Sequence, residues 1–301
     1  MELAAPISIY WDLPAGKADT ASLLRTCADI VACRPLMLHL HDPGPEIGGG
    51  TIAVLERLRG GAIAVSLTIR PTALDDAAAA LLCSLGLKEI LLTVESVQLL
   101  PAGTALKRFF DGKDASPPAH PTMGISFPVT RENWRELPTL VAFCRKQGIS
   151  RLVLPMQRLY TGENPFLLTR REQQELAGSL AASGGVEGIA LTIHDPFLWR
   201  AFNPDTPFPQ GGCQAANTML AIAPDGGVYP CPVLPVLLGV TGETSLKEII
   251  ASPEKKGFRR RLLDIPDDCR GCEELTWCRG GCRGRAYVVR GTLKGADAAC
   301  E

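Results

Sequence analysis

The sequence predicts an α/β fold in two parts: a barrel or partial (β/α) barrel over residues 1–202 and a small cysteine-rich domain over residues 203–301. Three observations carry this. Short β-branched or aliphatic runs alternate with segments of helical periodicity through the first two hundred residues, and such alternation implies a parallel sheet with crossover connections. The number of repeats suits a barrel better than a small open sheet. The alternation ends at "NPDTPFPQGG" (203–212), and seven of the eleven cysteines lie beyond it.

The strands are expected in "PISIYW", "LMLHLH", "AIAVSLTI", "KEILLTVE", "TMGISFPV", "SRLVLP" and "GIALTIHD". Helices are expected in "TASLLRTCADIVA", "TIAVLERLR", "LDDAAAALLCSLG", "ENWRELPTLVAFCRKQG" and "TRREQQELAGSLAAS", which repeat apolar residues at helical spacing. Thr169 and Glu172 have capping-box spacing, and Gly86 and Gly148 stand where helices must stop. Segment 101–121, with "DGKDASPPAH", reads as a surface loop, and 203–212 as a linker. In the C-terminal part, "MLAIAPDGGVYPC" predicts two strands joined at Pro224–Gly227, and "TSLKEIIASPE" a short helix capped by Thr244 or Ser245.

A formal charge of -1 over 301 residues gives no general attraction to nucleic acid or to an anionic membrane. The first residues lack a basic, apolar leader pattern and no run of eighteen apolar residues follows, so the chain reads as cytoplasmic. Thiols stay reduced there, which ranks disulfides last. Cys27, Cys33, Cys83 and Cys144 sit in apolar helical patterns and are expected in the core. Cys213, Cys231, Cys269, Cys272, Cys278, Cys282 and Cys300 sit among glycine, proline and charge, and read as metal ligands.

Taken alone, Cys269, Cys272, Cys278 and Cys282 could form a four-thiolate zinc site. From residue 253 onward there are eleven Lys or Arg against eight Asp or Glu, with Arg270, Arg279, Arg283 and Arg285 interleaved among the cysteines. Those arginines could stabilise an anionic metal group or meet an acidic peptide, whereas the run "KKGFRRR" reads as a solvated face. His39, His41, Asp42 and Glu46 suggest a metal or acid-base set, but a strand histidine is more often a core or rim residue, and His194-Asp195 is read the same way. Gly48-Gly49-Gly50 before a helix is a weak phosphate signal without a lysine.

The full spacing Cys213-x12-Gly226-x4-Cys231, Cys269-x2-Cys272-x5-Cys278-x3-Cys282, Cys300 resembles the seven-cysteine signature of SPASM domains, the C-terminal extension of many peptide-maturing radical SAM enzymes. The resemblance implies two auxiliary 4Fe-4S clusters, one held by Cys269, Cys272, Cys278 and Cys300 and the other by Cys213, Cys231 and Cys282. It also implies that the second cluster is incomplete, with an open iron or a substitute such as Asp205, or is absent.

The N-terminal part resembles a radical SAM partial barrel in "AIAVSLTIRPTALDDAAAALLCSLGLKEILLTVES" and "FPVTRENWRELPTLVAFCRKQGISRLVLP". It is degenerate: the loop after the first strand, "DLPAGKADT", has none of the three cysteines that the family uses, and "HDPGPEIGGG" replaces the glycine-rich segment that holds the cofactor. The chain resembles the SPASM domain proteins of GeoRSP-type systems. That implies an accessory protein without S-adenosylmethionine (SAM) cleavage, partnered by a radical SAM/SPASM maturase, its peptide substrate and a PqqD-like protein. A zinc- or cluster-stabilised scaffold and an enzyme of unrecognised chemistry in the barrel stay open as alternatives.

Overall fold

The computed structural model describes residues 3, 5–16, 19–99, 121–162, 164–209 and 211–300. The expected loop 101–121 lies outside these, apart from its last residue. All seven expected strands form: β1 (Ser8–Asp12), β2 (Met37–His41), β3 (Ala64–Ile69), β4 (Glu89–Thr93), β5 (Thr122–Ser126), β6 (Arg151–Leu154) and β7 (Ala190–Ile193). The helices between them are α1 (Thr20–Cys33), α2 (Gly49–Leu58), α3 (Asp76–Ser84), α4 (Leu137–Gln147) and α5 (Arg170–Ala182).

Their ends are set by local chemistry. The Asp19 carboxylate accepts from the amides of Ala21 and Ser22 and starts α1. Thr169 and Glu172 form the expected capping box on α5, and Gly148 ends α4 at φ +70°.

After β7 come α6 (Pro196–Phe202), β8 (Met219–Ile222), β9 (Gly227–Tyr229), β10 (Gly239–Val240), α7 (Leu246–Ala251), α8 (Pro253–Leu263), α9 (Leu275–Cys278) and α10 (Arg283–Arg290). The β8–β9 hairpin turns through Gly226 at φ +87°, as expected of that stretch. Ser245, not Thr244, caps α7, in a capping box with Glu248.

The strands form a sheet in the order β10-β9-β8-β1-β2-β3-β4-β5-β6-β7, parallel from β8 through β7. Six strand spacings of ~4.8 Å would separate β1 from β7 by ~29 Å in a flat sheet. Yet the Tyr10 hydroxyl on β1 lies 3.2 Å from Nε2 of His194, just past β7. The sheet is therefore curled into a partial barrel, with its first and seventh strands facing each other across the interior.

The apolar core does not stop at residue 202. Because β8 pairs with β1, with Ile9 opposite Leu220, one core cluster contains Ile9, Ile30 and Leu38 together with Leu220, Leu246 and Ile249. A second cluster lies under β5, β6, α4 and α5, around Phe127, Trp134 and Leu152. The expected linker is anchored by Phe208, which is buried edge-on against Phe197. Cys27, Cys33 and Cys144 are core residues as expected, while Cys83 is only half-buried.

Candidate metal centre

Cys213 follows the linker, Cys231 follows β9 and Cys282 caps the N-terminus of α10. The structure brings these three together. Burial raises the Cys231 thiol well above its ordinary value, and the neighbouring Cys213 and Cys282 raise it further. All three line one cavity of about 340 Å³ between the barrel and the cysteine-rich segment. The run "KKGFRRR" helps build this site and is not simply solvated: on α8, Lys255 and Arg259 are buried, and Arg259 Nη1 donates to the Cys213 carbonyl at 2.6 Å and to that of Ala215 at 3.2 Å. Sequence reasoning missed this because a buried arginine has the same one-letter pattern as an exposed one. The single apolar Phe258 inside the run was the available signal.

Cys269, Cys272, Cys278 and Cys300 neighbour one another, and Cys278 also lines the cavity of Cys213, Cys231 and Cys282. Cys269 ends a 3-10 turn, Cys278 ends α9, and Cys300 lies in the final turn, 298–300. The Cys269 thiol is raised by burial and then by Cys300 and Cys272. Burial pushes Cys278 up to about 11, with Cys300 adding to the rise. Cys272 and Cys300 are exposed.

The chain folds back between Cys282 and Cys300 around one carboxylate. Asp297 is 1% exposed; its Oδ2 accepts from the Cys282 amide at 2.7 Å, and its carbonyl accepts from the Cys300 amide at 3.0 Å. Gly281, at φ +67°, is required here, since a Cβ would sit 2.6 Å from that of Asp297. Gly284 is required for approach alone: a Cβ would lie 2.5 Å from the carbonyl oxygen of Val233, two residues past Cys231.

Among the described residues, no three His, Cys, Asp or Glu side chains close into a group that would hold a metal ion. The donor set nevertheless fits an iron-sulfur group in its chemistry. The soft thiols stand in the two neighbourhoods, and backbone N–H groups point at sulfur: Ala215 and Arg283 at Cys213, Gly280 and Gly281 at Cys278, and Arg285 at Cys282 at 3.5 Å. Arg283 is 1% exposed, its charge reaches both Cys213 and Cys269, and its Nε has no hydrogen-bond partner. A buried N–H left without an acceptor beside two sets of thiols is suited to meet an anionic group bound there.

The barrel interior holds a second cavity, of about 300 Å³, which shares Met156, Gln157 and His194 with the first. Three of the charged residues in its wall, Glu89, Arg151 and Arg158, are already paired. Asp12, at the end of β1, is gripped by Arg158 with Nε at 3.0 Å from Oδ2 and Nη2 at 3.0 Å from Oδ1, accepts from the Tyr160 hydroxyl and lies 3.3 Å from Nδ1 of His41. Burial would raise the Asp12 carboxyl, but the His41, Arg158 and Tyr160 interactions outweigh it and hold the group well below the usual carboxylate range. Glu89 is held by Arg151 at 2.8 Å and Ser66 at 2.7 Å.

His39 stacks on Tyr10 at 4.4 Å, and burial pulls its imidazole down to about 4. The set His39, His41, Asp42 and Glu46 is thus dispersed: Asp42 turns away, accepting from the Gly44 amide at 2.9 Å and the Thr51 hydroxyl at 2.6 Å. The Gly48–Gly50 segment is not an open phosphate cradle. The Gly48 amide points at Asp42 at 3.4 Å, and Gly50 admits the close approach of Leu23, where a Cβ would lie 2.7 Å from Cδ1. Asp205, the suggested substitute ligand, is exposed and does not line the cavity of Cys213, Cys231 and Cys282.

Residues 213–273 match the SPASM family, an iron-sulfur cluster-binding domain. The SPASM match starts at Cys213 and contains four of the seven cysteines, with Cys278, Cys282 and Cys300 beyond its end. The chain is similar to the PqqA peptide cyclase of Granulibacter bethesdensis, at 26% identity over 187 residues, 58% of this chain and 48% of that protein. It is similar to the same enzyme of Ruegeria pomeroyi, at 26% over 179 residues, 57% and 47%. The chain thus spans about half the length of the curated relatives it matches.

Among solved structures it resembles Streptococcus suis SuiB bound to precursor peptide SuiA, with TM-score 0.71 and 15% identity over 100% of this chain and 77% of that one. It also resembles anSMEcpe with bound AdoMet, with TM-score 0.66 and 16% identity over 98% and 91%. The fold is the radical SAM-like partial barrel that the sequence implied. No helix among the described residues is long and apolar enough to cross a membrane.

Proposed function

We propose that this chain is an iron-sulfur accessory protein of a radical SAM peptide-maturation system, of the GeoRSP type, acting in the cytoplasm without cleaving SAM itself. In this reading Cys269, Cys272, Cys278 and Cys300 hold one 4Fe-4S cluster, and Cys213, Cys231 and Cys282 hold a second. The clusters supply electron transfer or a metal-bound contact. The chain's own contribution is a rigid surface and cavity against which a maturase, its peptide substrate or a PqqD-like protein docks.

One observation carries the reading. Seven thiols stand in two neighbourhoods beside a barrel whose first strand ends in Asp12, locked by Arg158, and is followed by a loop without cysteine. The similarity to PqqA peptide cyclases supports the peptide-maturation setting, and the peptide bound to SuiB supports a peptide as partner.

The test is anaerobic purification followed by iron, acid-labile sulfide and zinc analysis, with a 5'-deoxyadenosine assay on the reduced, iron-loaded protein. Iron and sulfide without SAM cleavage supports the proposal. Zinc alone would make the C-terminal segment a structural scaffold, and product formation abolished by a mutation in this chain would make the protein an enzyme.

A further inference from the structure

Cys213, Cys231 and Cys282 supply three ligands, and the cavity they line decides which side chain can supply a fourth. We propose that His194 is that ligand, so that this iron-sulfur group is held by three thiolates and one imidazole. The assignment rests on the iron-sulfur reading above.

Elimination narrows the choice among the described residues. A fourth thiol, Cys278, also lines that cavity, but in the reading above it belongs with Cys269, Cys272 and Cys300. Besides the thiols, the side chains there with a nitrogen or oxygen lone pair are Gln157, His194, Asp195 and Gln214. Gln157 Oε1 accepts from the Phe166 amide at 2.7 Å, and Gln214 Oε1 from Asn217 at 3.1 Å. Asp195 caps α6 through Phe197 and Leu198 and is gripped by Arg285. The thioethers of Met156 and Met219 also line the cavity but are weak acceptors. His194 has a ring nitrogen, Nδ1, with no partner.

Its position is tied to the thiols. The next residue, Asp195, is bound to Arg285; Arg285 binds Asp297 at 2.6 and 2.8 Å; and Asp297 accepts from the Cys282 amide at 2.7 Å. Few side chains thus separate the end of β7 from the third thiol. The other ring nitrogen is also provided for, because Nε2 lies 3.2 Å from the Tyr10 hydroxyl. A metal-ligating imidazole usually donates its remote N–H to such a partner, which fixes the ring and the tautomer. Imidazole in place of thiolate is an established way to ligate iron in a cluster and raises its potential.

The test uses the full chain, made with 15N-histidine and loaded anaerobically with iron and sulfide, and pulsed EPR of the reduced protein. The expected result is a coupling from iron-bound nitrogen that changes with the isotope and is lost in His194→Ala and in Cys231→Ala. His194→Cys should keep the cluster signal and lose the nitrogen coupling. The proposal is overturned if Cys231→Ala removes a cluster signal that carries no histidine coupling, or if the coupling survives His194→Ala. A protein that takes up no iron overturns the iron-sulfur reading itself, and this assignment with it.

Discussion

Arg285 binds Asp297 through both ends of its guanidinium, Nε to Oδ1 at 2.6 Å and Nη2 to Oδ2 at 2.8 Å, while Nη1 donates to Asp195 and to the Phe166 carbonyl. The side chains of Arg285 and Asp297 are at most 4% exposed, so their charges depend on each other. Removing one partner of such a buried pair costs about 3–5 kcal/mol, because the other charge stays behind. Arg285→Met is therefore expected to lower the urea midpoint of the metal-free protein. Arg285→Lys should recover little, since an ammonium cannot span two carboxylates. A midpoint unchanged in Arg285→Met would show that the clamp is not structural.

The two thiol neighbourhoods predict a partition of cysteine substitutions. Cys300→Ala should remove the cluster signal that Cys269→Ala also removes, and Cys282→Ala the one that Cys231→Ala removes. Iron content and EPR of the four variants check this. Should Cys282→Ala and Cys269→Ala instead remove the same metal while Cys300→Ala leaves both signals, a compact site of Cys269, Cys272, Cys278 and Cys282 would replace the two-group account.

Arg158→Met should destabilise the barrel by about 3–5 kcal/mol at neutral pH, since the Asp12 carboxylate would remain buried without its cation. The depressed carboxyl also fixes a pH dependence. Its contribution is fully present above the unfolded value of about 3.9 and is lost as pH falls below that. Chemical denaturation of wild type between pH 5 and 2 should show this acid limb, and Arg158→Met should flatten it.

His39 predicts a separate window. A histidine pulled from 6.5 to about 4 is stabilising when neutral, so stability should be full above 6.5 and decline as pH falls toward 4. The size is on the order of 3 kcal/mol from the shift alone. His39→Gln should reduce the slope between pH 6.5 and 4, leaving the part contributed by His194, which burial also lowers, and should leave the Asp12 limb below it. An unchanged slope would place the titration elsewhere.

Metal removal should loosen the cysteine-rich turns while sparing the shared core. Hydrogen exchange with and without a chelator is expected to show lost protection from about residue 264 to 300, with β8 and α7 as protected as β1. Equal loss in β8 and in the turn around Cys269 would mean that the metal holds both.

The alternation of strands and helices was readable because each element has its own period, and even cap residues such as Thr169 and Ser245 follow local rules. The burial of Cys27, Cys33 and Cys144 was readable for the same reason, while the half-exposure of Cys83 was not. Contacts between residues far apart in the chain were not. Nothing near Asp12 announces Arg158, 146 residues away, and Asp195 reads as a helix cap until Arg285 is seen against it. The continuity of the core past residue 202 was hidden too, because "MLAI" looks the same whether it opens a small hairpin or pairs with the first strand.

That last pairing constrains how the chain reaches its fold during synthesis. β1 has β2 on one side and β8 on the other, and its partners in β8 are more than two hundred residues away. At ~5–20 residues per second, roughly 10–40 s pass on the ribosome before the outer edge of β1 can be covered. In that interval a strand rich in aromatic and β-branched residues, "SIYWD", presents unpaired backbone groups to other nascent chains. β8 thus closes the outer edge of β1, and shortening the protein before Met219 would leave that edge unpaired where a barrel wall should be.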